Sequence, residues 1–163
     1  MSKISFAVIS VLFFLLQSSV FPFLLRNVTG PDLWLCASVL SIIIYDKKTA
    51  LSFAVIGGAL ADIVTGNFFG LHLFPYIVTT LLISFFIREK YHRRIFVSLY
   101  FTCIASCLYI LALWGVIWFS GARVDILDYL MHRAGEIVGM NVLAAAFIHH
   151  LLWSIKKEWV SKW

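Results

Sequence analysis

The side chains best placed for chemistry are Asp62, His72, Arg133 and Glu136, four ionisable groups set in or beside long apolar stretches. An ionisable group inside an apolar span is costly, faces the bundle interior and finds a partner. Two carboxylates, an imidazole and a guanidinium could together hold a small polar ligand in a pocket. Two structural roles compete with that reading. Asp62 or Glu136 could pair with Arg133 and lock two helices together; Arg133 and Glu136 are already i,i+3 on one face. Asp62 could also accept backbone N–H groups of the glycine-rich turn that follows it, as aspartate does at caps and turns. We favour the structural roles, because no feature of the sequence demands a ligand. His72, His132, Asp62 and Glu136 could bind zinc in principle, but no H-E-x-x-H or comparable spacing is present. There is no G-x-S-x-G nucleophile turn and no phosphate-binding G-x-x-x-x-G-K-[ST] loop. The expectation is a non-enzymatic protein without a cofactor or metal.

The elements that position these groups are helices in lipid. The chain has 163 residues, 62% hydrophobic and 13% charged. A soluble domain carries about 25% charged residues, so this chain cannot cover a water-facing surface. One integral membrane domain over residues 1–163 is expected, an all-α multi-pass bundle of six transmembrane helices: about 4–25, 31–45, 49–65, 71–87, 95–119 and 126–155. The second span covers roughly 22 Å against a hydrocarbon core of about 30 Å, so either its neighbours shield it or the bilayer thins beside it. Gln17-Ser18-Ser19 interrupts the first span, and Pro22 lies near its end. In the third span Ala54, Gly58 and Asp62 share a face, with Gly57, Ala61 and Thr65 beside it. Small rows allow close helix approach, so this face turns inward with Asp62. Gly66 and Gly70 punctuate the turn before His72, and Gly135-x-x-x-Gly139 forms a second packing row in the sixth span. His149-His150 is expected at the membrane interface. Cys36, Cys103 and Cys107 all lie in apolar runs and read as packing residues.

Basic residues orient the bundle. Of the 13 lysines and arginines, all but Arg26, Arg123 and Arg133 fall on the side of the N-terminus, the Asp46-Lys47-Lys48 turn, the Arg88–Arg94 loop and the C-terminal tail. The positive-inside rule then puts both termini in the cytoplasm. The excess of positive charge belongs to this topology, so membrane lipid is the expected partner and nucleic acid is not.

Pro31-Asp32-Leu33 opening a short span, followed by Gly58-x-x-x-Asp62-x-x-x-Gly66-x-x-x-Gly70-Leu71-His72, resembles the MreD family of bacterial rod shape-determining membrane proteins. The likeness is best over roughly residues 30–90. Ala54-Val55 stands where many members carry Gly-Phe. The resemblance implies a scaffold of the cell-elongation machinery for peptidoglycan synthesis in the bacterial cytoplasmic membrane. The implied partners are MreC, a bitopic protein, with RodA, a penicillin-binding transpeptidase and MreB in the same complex. It also implies a fold like the substrate-binding S component of energy-coupling-factor transporters. The small-residue rows and the short second span would then offer surfaces to a partner helix. The alternative is a small-molecule-binding subunit of a vitamin transporter, using Asp62, His72, Arg133 and Glu136. The Phe- and Leu-rich first span lacks the Ala-x-x-x-Ala row such a subunit presents to its energising partner, which favours the scaffold.

Overall fold

The computed structural model describes residues 3–25, 29–66, 68–87, 95–121 and 134–160, and these are helical with no strand among them. Helix α1 (Lys3–Leu15) runs through a π-helical turn (Leu16–Val20) into the short α2 (Phe21–Leu24). There follow α3 (Leu33–Ile44), α4 (Lys47–Thr65), α5 (Leu73–Phe86), α6 (Ile95–Phe119) and α7 (Gly135–Val160). Four stretches are long and apolar enough to cross a membrane: Ile4–Leu24, Lys47–Thr65, Ile95–Phe119 and Gly135–Lys156. Helices α3 and α5 are shorter. Large apolar side chains point away from the bundle, among them Phe85, Phe96, Phe119 and Phe147, each at least 78% exposed. A surface of that kind is at home in hydrocarbon, and the architecture is that of a helical membrane bundle.

Helix α3 is the axis of the molecule. All 12 of its residues are buried, and α4, α5, α6 and α7 pack around it. At 1.5 Å per residue it is only about 18 Å long. The short second span is therefore shielded by its neighbours, and it offers no surface to a partner helix. Its ends are tied by side chains, as helix ends require. At the start, the Asp32 carboxylate accepts the Leu35 N–H at 3.1 Å. At the finish, Lys156 donates to the Ile44 carbonyl, and the Tyr45 hydroxyl donates to the Leu152 carbonyl at 2.9 Å.

The small row of α4 is what lets it reach α3. A Cβ on Gly57 would meet the Trp34 side chain at 2.5 Å, and one on Gly58 would meet the Leu73 Cα at 2.5 Å. Both glycines are buried within the chain, so this row is occupied by α3 and α5. The Gly135–Gly139 row behaves in the opposite way. Both residues are exposed, and a Cβ on either would meet nothing within 4 Å among the described residues. The expected packing row of the sixth span is an open face of α7.

His149, expected at the membrane interface, turns into the bundle. It is 7% exposed, inside the bundle, with its Nδ1 2.8 Å from the Ser98 hydroxyl. Helix α7 continues to Val160 beyond it. His150, the next residue, is exposed.

Candidate functional site

Asp62 sits in the last turn of α4 and is 3% exposed. Its carboxylate turns back into the chain's own backbone. One oxygen accepts the Gly70 N–H at 2.8 Å and the Leu73 N–H at 3.3 Å; the other accepts the His72 N–H at 2.7 Å. These are donors that the start of α5 cannot satisfy within its own helix. The geometry depends on glycine at two points. Gly66 closes α4 with φ 65°, and Gly70 sits at φ 108°, both in the region where a Cβ is strained. The stretch Gly58–His72 is thus one device, in which the carboxylate fixes the turn and sets the angle between α4 and α5. Of the two structural roles weighed from sequence, the backbone latch is present; Arg133, the partner in the other, lies outside the described residues. The latch closes on the start of α5.

Of the other residues expected around Asp62, His72 meets it through its backbone N–H. Glu136 is exposed and lies a long 3.5 Å from the Thr29 hydroxyl. Arg133 lies outside the described residues, as do His132, Asp128 and Asn67. His72 is half-buried, and its Nδ1 is 2.8 Å from the Tyr109 hydroxyl on α6. Among the described residues no group of three or more His, Cys, Asp or Glu could hold a metal ion.

The polar centre of the bundle is Asp32, which the sequence reading quoted only as part of a motif. Its Oδ1 accepts the Leu35 N–H at 3.1 Å and lies 3.4 Å from the Gln17 Nε2. Its Oδ2 accepts the Tyr76 hydroxyl at 2.5 Å. Gln17 comes from the π-helical turn, where the Phe21 N–H bonds back to the Leu16 carbonyl and Pro22 has no N–H to contribute. Its Oε1 accepts the Leu33 N–H at 3.1 Å. Asn141 of α7 completes the centre. It is wholly buried, accepts the Asp32 N–H at 2.7 Å and donates to the Ser106 hydroxyl at 3.0 Å. Side chains from the π-helical turn, α5 and α7 therefore converge on the start of α3, with α6 linked through Asn141. Two sequence signals pointed here: the polar interruption at Gln17, and Pro31-Asp32 immediately before an apolar run, which reads as a helix start.

Beside this centre lies a cavity of about 370 Å³. Asp32, Gln17, His72, Tyr76, Tyr109 and Trp34 contribute to its wall, and the remainder is mostly apolar. The Tyr76 and Tyr109 rings stand together on one side, with centroids 5.0 Å apart. The cavity is separate from the Asp62 carboxylate, which is turned into the α4–α5 turn. No protein-family model, curated protein or solved structure matches the chain.

Proposed function

We propose that the chain is a non-enzymatic scaffold of the MreD type, in the cytoplasmic membrane of a bacterium, that seats the transmembrane helix of an MreC-like bitopic partner within the cell-elongation machinery. RodA, a penicillin-binding transpeptidase and MreB are the further members of that assembly. In this reading all six helices, including the enclosed α3 and the short α5, form one S-component-like membrane domain, with both termini in the cytoplasm.

The observation that supports it most directly is the open face of α7. Among the described residues, Gly135 and Gly139 have no neighbour within 4 Å of a Cβ position, and exposed Leu143 and Phe147 continue the face along the helix. Two small residues four apart let a second helix approach backbone to backbone, which drives association in lipid where no hydrophobic force operates between helices. Of the four residues the ligand-binding alternative uses, Asp62, His72, Arg133 and Glu136, the Asp62 carboxylate is committed to three backbone N–H groups.

Co-expression with an MreC-like partner and affinity capture tests the reading. Wild-type protein is expected to bring down the partner in stoichiometric amount. Gly139→Leu is expected to lose it at unchanged thermal stability, since no described residue crowds the position. Retention of the partner by both Gly139→Leu and Gly135→Leu would remove α7 as the docking face. A stoichiometric vitamin-like ligand in native mass spectra, with no partner captured, would favour the transporter subunit instead.

A further inference from the structure

We propose that the cavity at the start of α3 is a binding site for a small organic ammonium ion, carried either by a free amine or by a lipid headgroup. The site stands apart from the open face of α7 and does not depend on the scaffold role. Three features carry it. The first is size. At about 370 Å³, the cavity falls in the range of small-molecule sites, roughly 300–1,000 Å³.

The second feature is charge. Among the described residues that line the cavity there is one carboxylate, Asp32, and no lysine or arginine. A carboxylate offers about four acceptor positions over its two oxygens. Leu35 and Gln17 occupy Oδ1, whereas Oδ2 takes only the Tyr76 hydroxyl. Asp32 lines the cavity, and a donor there would take the remaining Oδ2 position. A cation is the ligand that uses it best, because a charge-assisted bond inside an apolar enclosure is far stronger than one in water.

The third feature is the wall. Tyr76, Tyr109 and Trp34 line the cavity, and ring faces attract ammonium groups, most strongly when the cation is desolvated. The π-helical turn that brings Gln17 to the wall is a second sign, since such single turns inside helices cluster at functional sites.

Phenethylammonium and its neutral counterpart 2-phenylethanol are suitable probes, titrated by calorimetry into the full chain in a non-ionic detergent. The ammonium is expected to bind about tenfold or more tightly than the alcohol. Asp32→Asn keeps an oxygen for the Leu35 N–H and removes the charge; the preference is expected to fall to about one. Ala61→Phe adds bulk to the cavity wall without touching any of these hydrogen bonds, and it is expected to weaken both probes about tenfold or more. Competition with phosphatidylethanolamine and phosphatidylglycerol nanodiscs separates the sources. Loss of probe binding only in phosphatidylethanolamine assigns the lipid headgroup, and equal binding in both assigns a free amine. Equal affinity for the two probes, or an unchanged preference in Asp32→Asn, overturns the proposal. If Asp32→Asn does not fold, undiminished ammonium binding by Ala61→Phe overturns it instead.

Discussion

Asp62 offers the sharpest test of how the bundle is held together. Its carboxylate accepts three backbone N–H groups, from Gly70, His72 and Leu73, while itself only 3% exposed. Hydrogen bonds in membrane proteins contribute about 0.6 kcal/mol on average, and those in soluble proteins about 0.5–1.5 kcal/mol. Three of them, with no water at hand to replace the lost acceptor, put the cost of Asp62→Ala at about 2–5 kcal/mol. For a chain of this size each kcal/mol moves the melting temperature by about 2–4 °C, so a drop of at least about 4 °C is expected. Asp62→Asn keeps one oxygen but turns an amide N–H₂ toward one of the backbone donors, so it too is expected to lose stability. Asp46 provides the control. It caps the start of α4 by accepting the Thr49 N–H at 2.6 Å, and it is exposed. Asparagine caps as well as aspartate, so Asp46→Asn is expected to leave the melting temperature within about 1 °C. Thermal scanning of the three variants in one detergent measures this directly. Equal, small shifts for Asp62→Asn and Asp46→Asn would refute the latch.

The remaining predictions use other contacts. Gly58→Ala forces a methyl against the Leu73 Cα, and overpacking of that kind costs about 1–3 kcal/mol. Gly139→Ala meets nothing and is expected to be neutral or to gain up to about 1 kcal/mol from helix propensity; the same thermal scans give both values, and equal effects would remove the distinction between a filled and an open row. Asn141→Leu strips the Asp32 N–H of its acceptor and takes one donor from the Ser106 hydroxyl, which keeps its bond to the Thr102 carbonyl, with an expected loss of about 1–3 kcal/mol read by chemical denaturation. The Asp46 carboxyl is held below its ordinary value, chiefly by the Thr49 backbone N–H. Its stabilisation is therefore complete above the unfolded carboxylate range and lost as pH falls through the folded value, so melting curves below about pH 4 should fall less steeply in Asp46→Asn than in wild type. Single cysteines at Asn67 and Lys90 should react with an impermeant reagent from opposite faces of the membrane, and labelling from one face would break the six-span topology.

The sequence was informative wherever a local rule operated. Apolar runs mark the helices, and glycines at 66 and 70 mark a turn that needs positive φ. An aspartate just before such a turn announces its own backbone bonds. The Gly57–Gly58 face was legible because small residues in a lipid-embedded helix have few uses besides close approach. Three-dimensional pairing was not legible. Gln17 and Asp32 are 15 residues apart, Tyr76 and Asp32 are 44 apart, and Asn141 and Asp32 are 109 apart. No periodicity within one helix encodes those meetings. The same limit explains the Gly135–Gly139 row. A small-xxx-small pattern says that a helix can approach, but not whether that helix belongs to the same chain.

These contacts also change which element the molecule is built around. The aspartate and glycine stretch at 58–72 is the most conspicuous in the sequence, yet its work is local: it joins α4 to α5. Helix α3 does what no other element does. At 12 residues it is the shortest of the enclosed elements, and it contacts α4, α5, α6 and α7 at once. A helix of that length cannot place its ends in water on both sides of a bilayer of about 30 Å, so its terminal N–H and C=O groups must find partners inside the protein. Asp32, Gln17 and Asn141 supply them at one end; at the other Lys156 serves the Ile44 carbonyl, and Tyr45 ties the helix end to the Leu152 carbonyl of α7. Those partners come from α1's continuation, from α7 and from the residues flanking α3 itself. Satisfying a short buried helix therefore requires most of the bundle to be in place. It follows that truncating α3's caps should loosen several helices together, whereas breaking the Asp62 latch should free chiefly the α4–α5 turn. Hydrogen exchange separates the two. Asn141→Leu is expected to speed exchange in α3, α6 and α7, and Asp62→Asn chiefly around Gly66–Leu73. The opposite pattern would return the organising role to the glycine stretch.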